Sequence, residues 1–146
     1  MEPPIINERV RLLQSFTGKE FVDSVSPFMN WLKPTILNAE VGALAFSYIV
    51  RNEMTNPFGT LHGGVTAGII DDLIGATVYS MNLSNSYTTV NNVIDYFATA
   101  REGDLIIART SIVKRGRTII NLQCELVHAG KDRLIAKGYS NMLKIN

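Results

Sequence analysis

The segment NPFGTLHGGVTAGIIDD, Asn56 to Asp72, decides how the chain is read. Asn56, Pro57 and Gly59 mark a loop, which runs through His62 and Gly63 directly into an apolar periodic stretch. From Gly64 to Met81, Ile69, Ile70, Leu73, Ala76 and Thr77 recur at the spacing of one helix face. The spacing predicts a long amphipathic helix with one side packed on a sheet. The opening amides of a helix have no partner inside it. Gly63 and Gly64 therefore either present N–H groups to a carbonyl oxygen gaining negative charge or simply shape the entry to the helix.

At about 100° per residue, Gly64, Gly68, Asp71 and Gly75 share a stripe roughly opposite the apolar face, with Asp72 off it. Glycine inside a helix costs about 1 kcal/mol relative to alanine. A solvated back face usually carries Lys, Glu or Gln, so the stripe reads as a place where another backbone comes close. Asp71 follows Gly63 by eight residues, about 12 Å along the axis at ~1.5 Å per residue. A base or nucleophile must sit about 3–3.5 Å from its target, directly or through one water. On one helix these two groups cannot serve one carbonyl. Their cooperation needs a second, antiparallel copy of the helix across a two-fold axis.

Outward from this helix, the two flanks differ. Residues 5–32 place Val10, Leu13, Phe16, Phe21, Val25, Phe28 and Leu32 at helical spacing, broken by Gly18 and Pro27, which predicts one or two short helices. Thr35 to Glu40 and Ala43 to Val50 read as two strands around Val41-Gly42. After the long helix, Tyr87 to Ala98, Asp104 to Val113, Thr118 to His128 and Leu134 to Ile145 are rich in β-branched residues and divided by Gly103, Gly116 and Gly130. Four successive antiparallel strands are the economical reading. The order predicts an α+β fold, and residues 1–146 are read as a single domain with residues 1–32 as an N-terminal helical segment.

Composition narrows the function. A chain of 146 residues with 46% hydrophobic and 18% charged residues can build one sizeable core and is not a disordered segment. Lys plus Arg is 14 against 13 for Asp plus Glu, a net charge of +1, too small a field for nucleic acid or a membrane surface. Val41 to Val50 is interrupted by Gly42 and Ser47 and is far shorter than the ~20 residues of a membrane span. The N-terminal sequence lacks a basic start followed by an apolar run, and the one cysteine, Cys124, cannot close an internal disulfide. A cytoplasmic location is the expectation. No second His or Cys stands at metal-ligand spacing to His62, and Cys124 in its β-branched run reads as a core residue.

Asn56, Gly59, His62-Gly63-Gly64 and Asp71 resemble, in order and spacing, the hotdog-fold acyl-CoA thioesterases of the PaaI-like branch in the 4-hydroxybenzoyl-CoA thioesterase superfamily. The likeness runs from Asn56 to the C-terminus. It includes Thr89-Val90 leading to Tyr96, Gly103-Asp104, Lys114 to Thr118, and Leu134 to Gly138. It implies a long central helix wrapped by a curved antiparallel sheet, a homodimer with one continuous sheet that is often doubled into a tetramer, and hydrolysis of acyl-CoA thioesters without metal or organic cofactor. By position, the Gly63 amide and the Asn56 side chain would polarise the thioester carbonyl. Asp71 of the neighbouring subunit would be the nucleophile or general base, with Asp72 the alternative acid. Thr89, where the family commonly has serine, would orient the carboxylate or a water. His62 either takes part or supports the geometry by hydrogen bonding.

The cations Lys114, Arg115 and Arg117 around Gly116 form, on residues alone, a solubilising hairpin tip. Under the resemblance they become a clamp for the phosphates of coenzyme A, with Tyr96, Ala98 and Thr118 completing the substrate-binding set. Two other readings stand beside hydrolysis: a non-catalytic acyl-CoA or lipid-binding hotdog module, and a hotdog hydratase or dehydratase. The second needs a His and a carboxylate converging on the acyl α and β carbons.

Overall fold

The structure is a computed structural model and describes residues 6–146; the first five residues of the expected N-terminal helical segment lie outside the described residues. That segment forms two short helices, α1 (Glu8–Ser15) and α2 (Pro27–Leu32). Each starts on a capping side chain: Asn7 accepts from the Val10 amide, and Ser26 accepts from the Met29 amide with Pro27 opening the first turn. Val10, Leu13 and Leu32 are buried as their periodicity predicts, whereas Val25 is 93% exposed in the connection between the helices.

Strands β1 (Thr35–Glu40) and β2 (Ala43–Ile49) form the expected hairpin. A 3₁₀ turn at Asn52–Met54 and a loop then lead into α3 (Gly63–Ser80). Strands β3 (Tyr87–Tyr96), β4 (Leu105–Arg115), β5 (Ile119–His128) and β6 (Arg133–Lys144) complete one six-stranded antiparallel sheet in the order β1-β2-β4-β5-β6-β3. The expectation of four successively paired strands is therefore corrected at one joint. β3 pairs with β6, not with β4. β4 alternates buried Ile106, Ala108 and Thr110 and belongs inside the sheet beside β2, whereas no residue of β3 is buried, which suits an edge.

Helix α3 packs against β2, β3, β4, β5 and β6, so the sheet curls around it. Its Ile69, Ile70, Leu73, Ile74 and Val78 join Phe46, Tyr48, Ile106, Leu122, Leu126 and Ala136 in one core cluster. Gly138 lets helix and sheet approach this closely, because a Cβ there would stand 2.8 Å from Ile70 Cγ2. This is the hotdog arrangement implied by the resemblance. Among the described residues no helix is long and apolar enough to cross a membrane.

Candidate active site

The site begins at the entry to α3. His62 is the N-cap, and its Nδ1 accepts from the Gly64 amide at 2.8 Å. That bond consumes one of the two amides considered at the sequence level and makes His62 a support for the helix entry. The Gly63 amide has no acceptor among the described residues. Tyr96 holds the same turn from β3, its hydroxyl donating to the Gly63 carbonyl at 3.0 Å. Asn56 folds its side chain onto its own loop: Oδ1 accepts from the amides of Phe58 and Thr60 at 3.0 and 3.1 Å, and Nδ2 donates to Thr60 Oγ1 at 2.9 Å. An Asx turn of this kind shapes the loop and leaves the second Nδ2 proton available.

At mid-helix, Asp71 is exposed and receives two donors on one oxygen. Thr89 Oγ1 donates to Oδ1 at 3.1 Å and Asn92 Nδ2 donates to the same atom at 2.8 Å. Thr89 thus touches the carboxylate of its own chain. Asn92 escaped the sequence reading because simple strand alternation sends residues three apart to opposite faces.

Asp72 points elsewhere. It is half-buried and accepts from Ser26 Oγ at 3.1 Å, while its Oδ2 is buried without a partner among the described residues. Burial pushes its carboxyl up to about 6, partly opposed by the Ser26 hydrogen bond and aided by neighbouring Asp71. The sign for stability follows directly. A carboxyl that holds its proton more tightly in the folded chain leaves the unfolded chain with fewer protons, so stability falls as pH rises from about 4 to about 6. Asp72→Asn is expected to raise stability by about 2 kcal/mol at pH 7.5 and to change it little below pH 4. Urea unfolding at the two pH values measures this, and an equal gain at both would show that Asp72 is not the titrating group.

At Gly68 the glycine stripe takes a different neighbour from the one its spacing suggests, while a Cβ at Gly75 would meet nothing within 4 Å among the described residues. At Gly68 a Cβ would stand 2.6 Å from Cζ of Phe28, so a ring from α2 of the same chain occupies the place expected for a foreign backbone. Beyond it, Leu12, Phe21, Val25, Met29 and Ala76 line a cavity of about 370 Å³ whose wall includes Asp71, Asp72 and Thr89. This cavity was not legible in the sequence, because α1, α2 and their connection supply most of its lining.

The remaining predicted residues fall at two ends of the sheet. Tyr96 pairs with Ala136, and the Ala98 amide donates to the Ile135 carbonyl, at the end holding Gly63. Arg115 pairs with Ile120, Ile120 with Met142, and Met142 with Thr89, so the hairpin of Lys114, Arg115, Gly116, Arg117 and Thr118 lies in line with Thr89. Met142 follows Ala136 by six residues along β6, about 20 Å at ~3.3 Å per residue. Within one chain, then, the structure groups Gly63, His62, Tyr96 and Ala98 at one end and Asp71, Thr89 and the cationic hairpin toward the other. Lys114, Arg115 and Arg117 are all exposed. Gly116 closes the hairpin by donating to the Ile119 carbonyl at 2.8 Å, and a Cβ there would stand 2.7 Å from that oxygen. Cys124 is buried as expected, and its burial pushes the thiol up to about 12, which leaves it unreactive.

An antiparallel sheet curled around a long helix has clear relatives. Residues 58–135, more than half of the chain, match the description of the Thioesterase superfamily. The chain belongs to that family and is a thioester hydrolase. Human acyl-coenzyme A thioesterase 13 is 29% identical over 106 residues, covering 73% of this chain and 76% of the relative. The PaaI protein from the phenylacetic acid degradation operon of E. coli superposes with a TM-score of 0.77 at 17% identity, over 84% of this chain and 86% of that one. A hypothetical thioesterase protein with coenzyme A from Streptococcus pneumoniae TIGR4 gives 0.72 at 21% identity, over 77% of this chain and 86% of that one.

Proposed function

We propose that the chain hydrolyses an acyl-CoA thioester to the free acid and coenzyme A, in sites shared between two copies of itself. One observation carries the reading: the unpartnered Gly63 amide and the Asp71 carboxylate held by Thr89 lie at different points along one helix, too far apart to meet within one chain. A two-fold axis with antiparallel α3 helices would bring the Gly63 end of one copy to the Asp71 of the other. Among the described residues no strand pairs with the outer edge of β3, and its Val90 and Val93 are 56% and 57% exposed, which supports strand-to-strand pairing of two copies into one continuous sheet.

In this arrangement the Gly63 N–H, helped by the spare Asn56 proton, draws charge onto the thioester oxygen as the carbonyl carbon becomes tetrahedral. Asp71 of the second copy either attacks that carbon or takes a proton from an attacking water. The C–S bond then breaks and the thiolate leaves, taking a proton from water or the one Asp71 removed from it. Where Asp71 was the nucleophile, a water then hydrolyses the acyl-aspartyl anhydride to the free acid and restores the carboxylate. Lys114, Arg115 and Arg117 offer forks and point charges to the phosphates, with Tyr96, Ala98 and Thr118 along the rest of the arm. The cavity beside Asp71 suits the acyl group, being mostly apolar and of a size common for small-molecule sites. The residues form one hotdog unit around one core, and the buried, unpaired Cys124 fits a reducing cytoplasm.

Free-thiol release from a panel of aromatic, medium-chain and long-chain acyl-CoAs, with a chelator present, tests this directly. Turnover of at least one substrate is expected. Binding without turnover across the panel would favour the acyl-CoA-binding module. His62 Nδ1 is committed to the Gly64 amide, which leaves only its Nε2 for the proton transfers that a hydratase requires.

A further inference from the structure

Strand β3 does not run straight past Asp71. Thr89 pairs with Met142 and Asn91 with Asn141, consecutive residues of β6, so Val90 is the extra residue of a β-bulge. Without it, Thr89 and Asn92 would face opposite sides of the sheet. With it, both reach one atom: Asp71 Oδ1 accepts from Thr89 Oγ1 at 3.1 Å and from Asn92 Nδ2 at 2.8 Å. Two donors on Oδ1 set the rotation of the carboxylate and leave Oδ2 with no donor among the described residues.

A second feature of Asn92 points the same way. Its own Oδ1 is buried and has no partner among the described residues. A side chain retained only for packing would do better without a buried carbonyl oxygen, since an unpaired acceptor out of water is unfavourable. What the amide supplies here is the Nδ2 donor to Asp71.

We propose that Asn92, turned inward by the bulge at Val90, is a positioning residue that fixes Asp71 so that its Oδ2 faces the reacting thioester. The inference rests on the thioesterase reading of Asp71. Asn92 acts through the carboxylate and does not touch substrate.

Asn92→Leu removes the donor and the orphaned oxygen together while roughly keeping the volume. The expected result is a kcat about 10-fold lower, a KM within about two-fold, and a melting temperature held or raised. A purely structural role would lower stability along with rate. In an Asp71→Asn background Asn92→Leu should cost nothing further, because the group it positions is gone. Asn92→Asp, the same shape with no donor, should lose at least as much kcat as Asn92→Leu and serves if the leucine variant does not fold. A measurement independent of turnover is the side-chain amide resonance of Asn92 by NMR, which should move on Asp71→Ala, where its acceptor is gone. Full kcat in both Asn92 variants, undiminished extra loss on top of Asp71→Asn, or an unmoved resonance would overturn the proposal. If Asp71→Asn itself stays fully active, the thioesterase role of Asp71 fails, and the resonance still reports whether Asn92 binds it.

Discussion

Asp71→Asn is expected to lower kcat by at least ~100-fold on any acyl-CoA the protein turns over, the usual consequence of losing a base or nucleophile. The substitution is isosteric, and an asparagine Oδ1 can still accept from Thr89 and Asn92, so the bulged strand and the helix keep their contact. What disappears is the free carboxylate oxygen. The neighbouring Asp72→Asn is the control: Asp72 already spends one oxygen on Ser26 and buries the other, so it should cost kcat only a few-fold. Steady-state rates of the two variants, with melting curves to show both fold, decide between the two acids. Equal losses would mean that the helical phase separating Asp71 from Asp72 has been misread.

The second large effect is recovered activity. Gly63→Pro deletes the proposed donor amide, and the structure shows why the helix should survive it. Proline is well accepted at the first helical position, and His62 before it, at φ −63° and ψ 133°, already has the extended backbone that a following proline requires. A Cβ at residue 63 would meet the Tyr96 ring at 3.6 Å, an ordinary contact. Gly63→Pro and Asp71→Asn should each be nearly inactive alone. After joint dissociation and reassembly, a mixed dimer has one site with both lesions and one with neither. Random mixing makes half the dimers mixed, so about a quarter of wild-type activity should return. Mixed dimers verified by mass that show no recovery would sink the shared site, and Asp71 would then have to act within its own chain or not at all.

The local pattern of the chain was enough for its elements. The helix predicted over Gly64–Met81 is observed at Gly63–Ser80, and the strands differ from expectation by a residue or two at their ends, because 3.6-residue and two-residue periodicities of apolar side chains are printed locally. The same locality brought out Gly63 and Gly64 as candidate amides, the separation between Gly63 and Asp71, and the offset of Asp71 from Asp72, all of which follow from spacing along one helix. Which of the two amides stays free was decided by the His62 side chain on the Gly64 amide. Pairing is not local. That β3 crosses to β6 was decided by which strand could bury its face and which could stand at an edge, a competition among strands distant in sequence. The bulge at Val90 arises from register against β6, so the convergence of Thr89 and Asn92 on one carboxylate oxygen could be seen only once the sheet was formed. Likewise the Phe28 ring over Gly68, the Ser26 hydroxyl on Asp72 and the cavity beside Asp71 depend on where two short helices settle on α3. Helices of eight and six residues are too short to hold themselves in water, so their place is set by the apolar surface they cover and not by their own sequence.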